Sequence, residues 1–174
     1  MGSGISGNYN GTLEKSQPYA STYGVTKDLL ELDKKNPDIY DLISGYFKNP
    51  TAINLRDAIV NNHIFIDNKL ANGTMTYVMD KDGNIIFGIR RNPNNPHSRT
   101  PHPTLIGGIS PRVKCAGMIT FSKGRIVSID NSSGHFKPNI RSMKEVNEYM
   151  DKLYKENPEV FNRNSKWRNK KWQQ

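Results

Sequence analysis

Two stretches in the middle of the chain constrain its fold more than anything else in it. TMTYVMD and NIIFGIR lie on either side of KDG, and VKCAGMITF and RIVSID lie on either side of SKG. Each stretch is a pair of β-forming runs split by a short turn that contains glycine, which is the signature of an antiparallel hairpin. A chain with two such hairpins must build a sheet. The short apolar run HIFI, residues 63–66, supplies a further strand. Between the hairpins, RRNPNNPHSRTP has too many Pro and Asn residues for a helix or a central strand, so it reads as a loop.

Helical spacing lies outside this block. Val25, Leu29 and Leu32 predict a short amphipathic helix over roughly 23–35, stopped near Asn36-Pro37. Asn49-Pro50 reads as an N-cap with Pro at the first helical position, opening a second helix to about Asn61 with Ala52, Leu55 and Ile59 on one face. Ser142 and Glu145 form an S-x-x-E capping box, and Val146, Tyr149, Met150 and Leu153 make the apolar stripe of a last helix that ends before Pro158. The expected class is α+β: an antiparallel sheet of about five strands, two N-terminal helices and one C-terminal helix.

The length of 174 residues suits one domain. Residues 1–20 open on MGSGISGNYNG and read as a flexible linker, 21–161 as the domain, and 162–174 as a basic, Trp-containing tail. Such a linker suggests a module carried at the end of a larger exported chain; otherwise the protein is cytoplasmic. Cys115 is the only cysteine, so no intramolecular disulfide forms, which is compatible with a reducing cytosol. No apolar run approaches the ~20 residues of a membrane-spanning helix.

The formal charge of +9 favours an acidic or phosphate-bearing partner, nucleic acid included. Two segments gather the residues such a partner would need. In PHPTLIGG, prolines stiffen the backbone around His102, and Thr104 adds a hydroxyl. Gly107-Gly108 lets the chain turn, or lets a phosphate approach backbone N–H groups. In NSSGHFKPN, Ser132 and Ser133 offer hydrogen bonds, His135 a proton and Lys137 a positive charge. Asp130 is the nearest carboxylate, a candidate partner for a cationic intermediate. The competing reading makes both segments structural: a loop-to-strand junction and a polar turn before the last helix.

The segments flank one hairpin, so a sheet that brings both strand ends to one edge places His102 beside His135. Two imidazoles and a lysine suit phosphodiester cleavage without a metal, one ring taking a proton and the other giving one. The same groups suit the pyrophosphate and ribose of NAD. Arg90, Arg91 and Arg99 are the phosphate contacts expected from the loop. In the tail, Arg163, Lys166, Arg168, Lys170 and Lys171 alternate with Trp167 and Trp172, a pattern that fits either stacking on nucleic acid or folding back on the domain. His97 falls in the Pro/Asn loop, and His63 reads as structural. No H-x-E, C-x-x-C or H-E-x-x-H spacing occurs, so no metal is expected.

Four stretches together carry a resemblance. They are Y-V-M-D-x-x-G-N-I from Tyr77, H-x-T-x-x-G-G from His102, A-G-x-I-x-F-x-x-G-x-I from Ala116, and N-x-S-G-H-F-x-P from Asn131. The series resembles C-terminal toxin modules of polymorphic toxin systems, especially those fused to phage head morphogenesis (MuF-type) proteins. It is more loosely similar to the core of plant IQ-motif calmodulin-binding proteins, but the chain has no IQ motif, so calmodulin binding does not carry over. Met118 stands where bacterial members of this kind often have an acid, and Phe136 where a tyrosine is usual.

The resemblance implies an effector toxin that acts in a target-cell cytosol and has a cognate immunity protein. Modules of this size commonly transfer ADP-ribose or cleave RNA. The expectation is ADP-ribosyl transfer from NAD to a macromolecular target, although no E-x-E or S-T-S triplet is present in the familiar form. The expected catalytic residues are His102, His135 and Asp130. The expected substrate-binding residues are Thr104, Gly107, Gly108, Ser132, Ser133, Lys137, Arg90, Arg91 and Arg99. The alternatives are a metal-independent ribonuclease using the paired histidines, and a non-enzymatic phage or injection-system binding module.

Overall fold

The computed structural model describes residues 16–48, 52–88 and 101–168. The first half contains β1 (Tyr23–Gly24), α1 (Lys27–Asp33), β2 (Tyr40–Asp41), β3 (Tyr46–Phe47), β4 (Ile53–Asn54), β5 (Ile59–Val60), β6 (His63–Ile66) and β7 (Lys69–Leu70). The second contains β8 (Gly73–Met79), β9 (Ile85–Gly88), β10 (Arg112–Val113), β11 (Cys115–Ser122), β12 (Arg125–Ile129) and α2 (Met143–Glu156). The fold is α+β with few helices. Its largest sheet has five strands in the order β12-β11-β8-β9-β4, every neighbour antiparallel.

The two hairpins form the middle of that sheet. Lys123 (φ +50°) and Gly124 (φ +80°) make a two-residue turn with both φ angles positive, the type that matches strand twist. The other turn is held by Asp80, whose Oδ1 accepts from the backbone N–H groups of Asp82 and Asn84, both at 2.9 Å. Smaller units surround the sheet: the pair β1–β10, the hairpin β2–β3 and the three strands β5-β6-β7.

Both faces of the large sheet are covered. Alternate residues of a strand point to opposite sides. Tyr77, Met79, Ile119 and Phe121 pack towards α2, whose Val146, Met150 and Leu153 are buried on the same cluster. Val78 and Ala116 face the other way, against Tyr23, Leu105, Val113 and Phe136. Leu105 and Phe136, from the two histidine segments, lie on this second side.

Three local expectations are corrected. The second N-terminal helix is not formed over the described part of its span: β4 pairs with β9, and β5 turns into β6. Asn61 (φ +51°) and Asn62 (φ +65°) take the left-handed conformation that Asn tolerates, so they make the hairpin turn rather than a helix end. The first helix is shorter than predicted, and Leu32 is exposed while Asp33 is its buried residue. The capping box is also absent. A 3-10 turn, Ile140–Ser142, runs directly into α2, so Ser142 already has helical angles (φ −70°, ψ −14°) and makes no side-chain cap. Asn139 starts the turn instead, its side chain accepting from Arg141 N at 3.0 Å. Glu145 pairs with Lys114 at 3.2 Å.

Candidate functional site

The site begins at a missing side chain. A Cβ on Gly117 of β11 would lie 2.0 Å from the carbonyl oxygen of Asp130, so only glycine lets the chain leaving β12 cross β11 this closely. Tyr77 Oη donates to that carbonyl at 2.5 Å. Asp130 Oδ1 accepts from Met118 N and from Ser132 N, each at 2.9 Å. Asp130 thereby fixes the start of the loop carrying His135.

His102 reaches the same strand from the other segment. It opens a buried 3-10 turn, His102–Leu105, which Thr104 braces by donating from Oγ1 to Pro101 O at 2.7 Å. His102 Nε2 lies 2.8 Å from Gly117 O. A carbonyl only accepts, so Nε2 carries the hydrogen of this bond. Gly107 (φ +74°) and Gly108 (φ +89°) then turn the chain. Their N–H groups donate to Pro103 O at 2.7 Å and to Phe47 O at 2.9 Å. The turning role of the glycine pair therefore holds. Their amides are not a phosphate cradle, because both are committed inside the protein.

The loop after β12 is closed on itself and strapped from outside. Ser133 Oγ accepts from Phe136 N at 3.3 Å, and Ser133 O from Lys137 N at 2.8 Å, with Lys137 at φ +44°. Ser132 Oγ is buried and has no hydrogen-bond partner among the described residues. Gln17 N donates to Lys137 O at 2.8 Å and Thr26 N to His135 O at 2.7 Å. Gln17, inside the segment read as a linker, is thus tied to the domain.

This strap delivers a residue that sequence reasoning missed. Asp33, the last residue of α1, places Oδ2 2.9 Å from His135 Nε2, and the two side chains are only 11% and 18% exposed. The contact is an ion pair when the ring is protonated, and the two atoms meet off the hydrogen-bond axis. The His102 and His135 rings stand 6.3 Å apart between centroids, at 54°. The structure therefore brings His102, His135 and Asp33 together, with Ser132 and Ser133 in the same loop. The acid beside His135 is Asp33, and Asp130 Oδ1 holds the backbone where the loop begins. The only hint in the sequence is helical spacing: Asp33 follows by three residues Leu30, which packs on the small cluster of Ile39, Tyr40 and Phe47.

Nearby nucleophiles are quenched. Burial pushes the Cys115 thiol up to about 12 and the Tyr77 phenol well above its ordinary value, so neither ionises near neutrality. A cleft of about 580 Å³ is lined by Leu105, Ile106 and Gly107 but by neither histidine. No group of three or more His, Cys, Asp or Glu residues fit to hold a metal occurs among the described residues. No helix among them is long and apolar enough to cross a membrane.

Arg90, Arg91 and Arg99, with His97, lie outside the described residues, as do Lys170, Lys171 and Trp172. Trp167 lies back on the domain, buried against Phe161 at 5.2 Å between ring centroids. Arg168 pairs with Glu159 at 3.1 Å. His63 Nδ1 bonds Asn61 O at 2.8 Å, a structural contact. Set against family models, curated proteins and solved structures, the chain matches none.

Proposed function

We propose that this chain is a toxin-type effector enzyme that transfers ADP-ribose from NAD to a macromolecular target. The observation that carries the reading is the convergence of His102, His135 and Asp33 from three separate segments, with the His135–Asp33 contact at 2.9 Å. The sequence offers no familiar acid motif for this reaction, and Asp33 supplies an acid in its place. In the transfer, the bond from the ribose anomeric carbon to nicotinamide breaks, and nicotinamide leaves with the electron pair. The target's nucleophile forms the new bond and gives up a proton. A carboxylate stabilises the cationic ribose, and an imidazole suits the proton. The burial of His102 favours a compact substrate over a polymer strand.

A ribonuclease is the second reading, because two imidazoles at 6.3 Å are also an acid–base pair for phosphodiester cleavage. The deciding experiment incubates the full chain with labelled NAD and a bacterial lysate, with total RNA run in parallel. Label moving onto protein or nucleic acid is the expected result. Intact NAD with cleaved RNA would replace this reading by the second. If neither changes, the chain is a binding module. The toxin resemblance further implies a cognate immunity protein, and that expression in bacterial cytosol is harmful unless the histidines are removed.

A further inference from the structure

The cleft of about 580 Å³ lies between the turn that joins β8 to β9 and the chain from Leu105 to Arg112. This volume is within the ~300–1,000 Å³ of small-molecule sites. The floor includes Ile86, Leu105 and Ile106, an apolar surface. The rim is charged. Lys81 and Asp82 stand on the turn, exposed, and their side chains make no hydrogen bond or ion pair among the described residues. Asp80 is unavailable, because its carboxylate holds the turn through Asp82 N, Asn84 N and Asn84 Nδ2.

Across the cleft, Arg112 is held in place. Its Nε donates to Thr22 Oγ1 at 2.9 Å and its Nη2 to Thr22 O at 3.0 Å. Two bonds anchor the guanidinium, and Nη1 has no acceptor among the described residues. Asn54 lines the same cleft, with Oδ1 accepting from Arg56 N at 3.1 Å, which leaves its Nδ2 donors available. A preorganised arginine, a second cation, one carboxylate and one amide around an apolar floor are a selective set. A fatty chain would use only the floor, and a bare anion only the cations.

We propose that this cleft binds a nucleoside 5′-phosphate. The base lies on the apolar floor with the Asn54 amide at its edge. Asp82 accepts from a ribose hydroxyl. Lys81 and Arg112 take the phosphate through charge-assisted hydrogen bonds. The site goes beyond the histidine reading and does not depend on it, since neither His102 nor His135 lines the cleft.

The test titrates the full chain with AMP, adenosine and inorganic phosphate, read by calorimetry and by amide chemical shifts. AMP should bind more tightly than either fragment and move the amides of Asp82, Ile106 and Arg112. Lys81→Ala removes one charge-assisted hydrogen bond from an exposed position and should weaken AMP about tenfold or more. Arg112→Gln should do the same, with its melting curve confirming that the β1–β10 pair survives. His135→Ala should leave AMP binding intact, so a loss of NAD turnover in that variant judges the histidine reading alone. No AMP binding at millimolar concentration overturns the proposal. So does binding unchanged by both cleft variants, phosphate binding as tight as AMP, or AMP binding abolished by His135→Ala.

Discussion

Adding one methyl group at Gly117 should damage this fold far more than adding one at Gly83. At Gly117 the new Cβ would stand 2.0 Å from Asp130 O, 2.6 Å from Asp130 C and 2.8 Å from Asn131 Cα. All three are backbone atoms and cannot swing aside. Ordinary C···O contacts are no closer than ~3.3 Å, so the two segments must part by roughly 1 Å or more. Overpacking of this kind costs ~1–3 kcal/mol. The displaced segment also carries the Tyr77–Asp130 bond and both Asp130 Oδ1 bonds. Losing one or two of them adds ~1–3 kcal/mol. The sum is roughly 2–6 kcal/mol, which for a chain of this size lowers Tm by about 4–24 °C. Gly83 has φ +86° and nothing within 4 Å of its Cβ position. Gly83→Ala therefore incurs only left-handed backbone strain, ~1–2 kcal/mol. Urea and thermal unfolding of both variants give the comparison. If Gly117→Ala proves no worse than Gly83→Ala, β11 and the chain after β12 do not meet as described, and the anchoring of His102 fails with them.

Four further outcomes follow from the structure. His102→Ala and His135→Ala should each lower NAD turnover by ~10²–10⁴-fold with the melting transition retained; Asp33→Asn should shift the pH–rate profile, and full activity in all three would remove the site. A thiol reagent at pH 8 should label Cys115 only after denaturation, because burial holds its thiol up at about 12. The same burial acts on stability: Cys115 and Tyr149 are both raised to about 12 in the fold, from 9.0 and 10.0, so above about pH 9 the unfolded chain gives up protons that the native state keeps. Stability should be full below that pH and fall towards pH 12, and Tyr149→Phe should flatten part of the slope in urea midpoints taken from pH 8 to 11. Trp167→Ala should cost ~3–5 kcal/mol as a core truncation, whereas a tail engaged only with nucleic acid would lose almost nothing.

What was legible in the sequence was whatever repeats locally. The hairpins around KDG and SKG, the strand HIFI and the stripe of α2 depend on side-chain period and turn chemistry, both readable over a few residues. The helix expected after Asn49-Pro50 failed because Ala52, Leu55 and Ile59 fit a 3.6 period by chance, while the strong signal was the Asn61-Asn62 turn. The capping box failed because a preceding 3-10 turn had already given Ser142 helical angles, which removes the extended conformation a cap needs. The approach of His102 to His135 could be reasoned from their places at the two ends of one hairpin. The arrival of Asp33 could not, because it depends on backbone bonds from Gln17 and Thr26 to a loop more than a hundred residues away.

That arrival is also the strongest argument that the site is more than a polar turn. The α1 helix has only 7 residues and no side-chain cap, far below the ~12–15 that hold a helix in isolation. It exposes Leu32 and buries Asp33, the reverse of what burial of apolar surface would select. A carboxylate and an imidazole shielded from water gain little or nothing in stability over a packed aliphatic pair. A chain under pressure for stability alone would place a leucine at this position and leave the acid in solvent. A local rule broken where two histidines converge is the pattern expected of a site whose geometry is maintained for chemistry. An N-terminal strap, Gln17 N to Lys137 O and Thr26 N to His135 O, ties α1 to the histidine loop through backbone bonds instead of helix propensity.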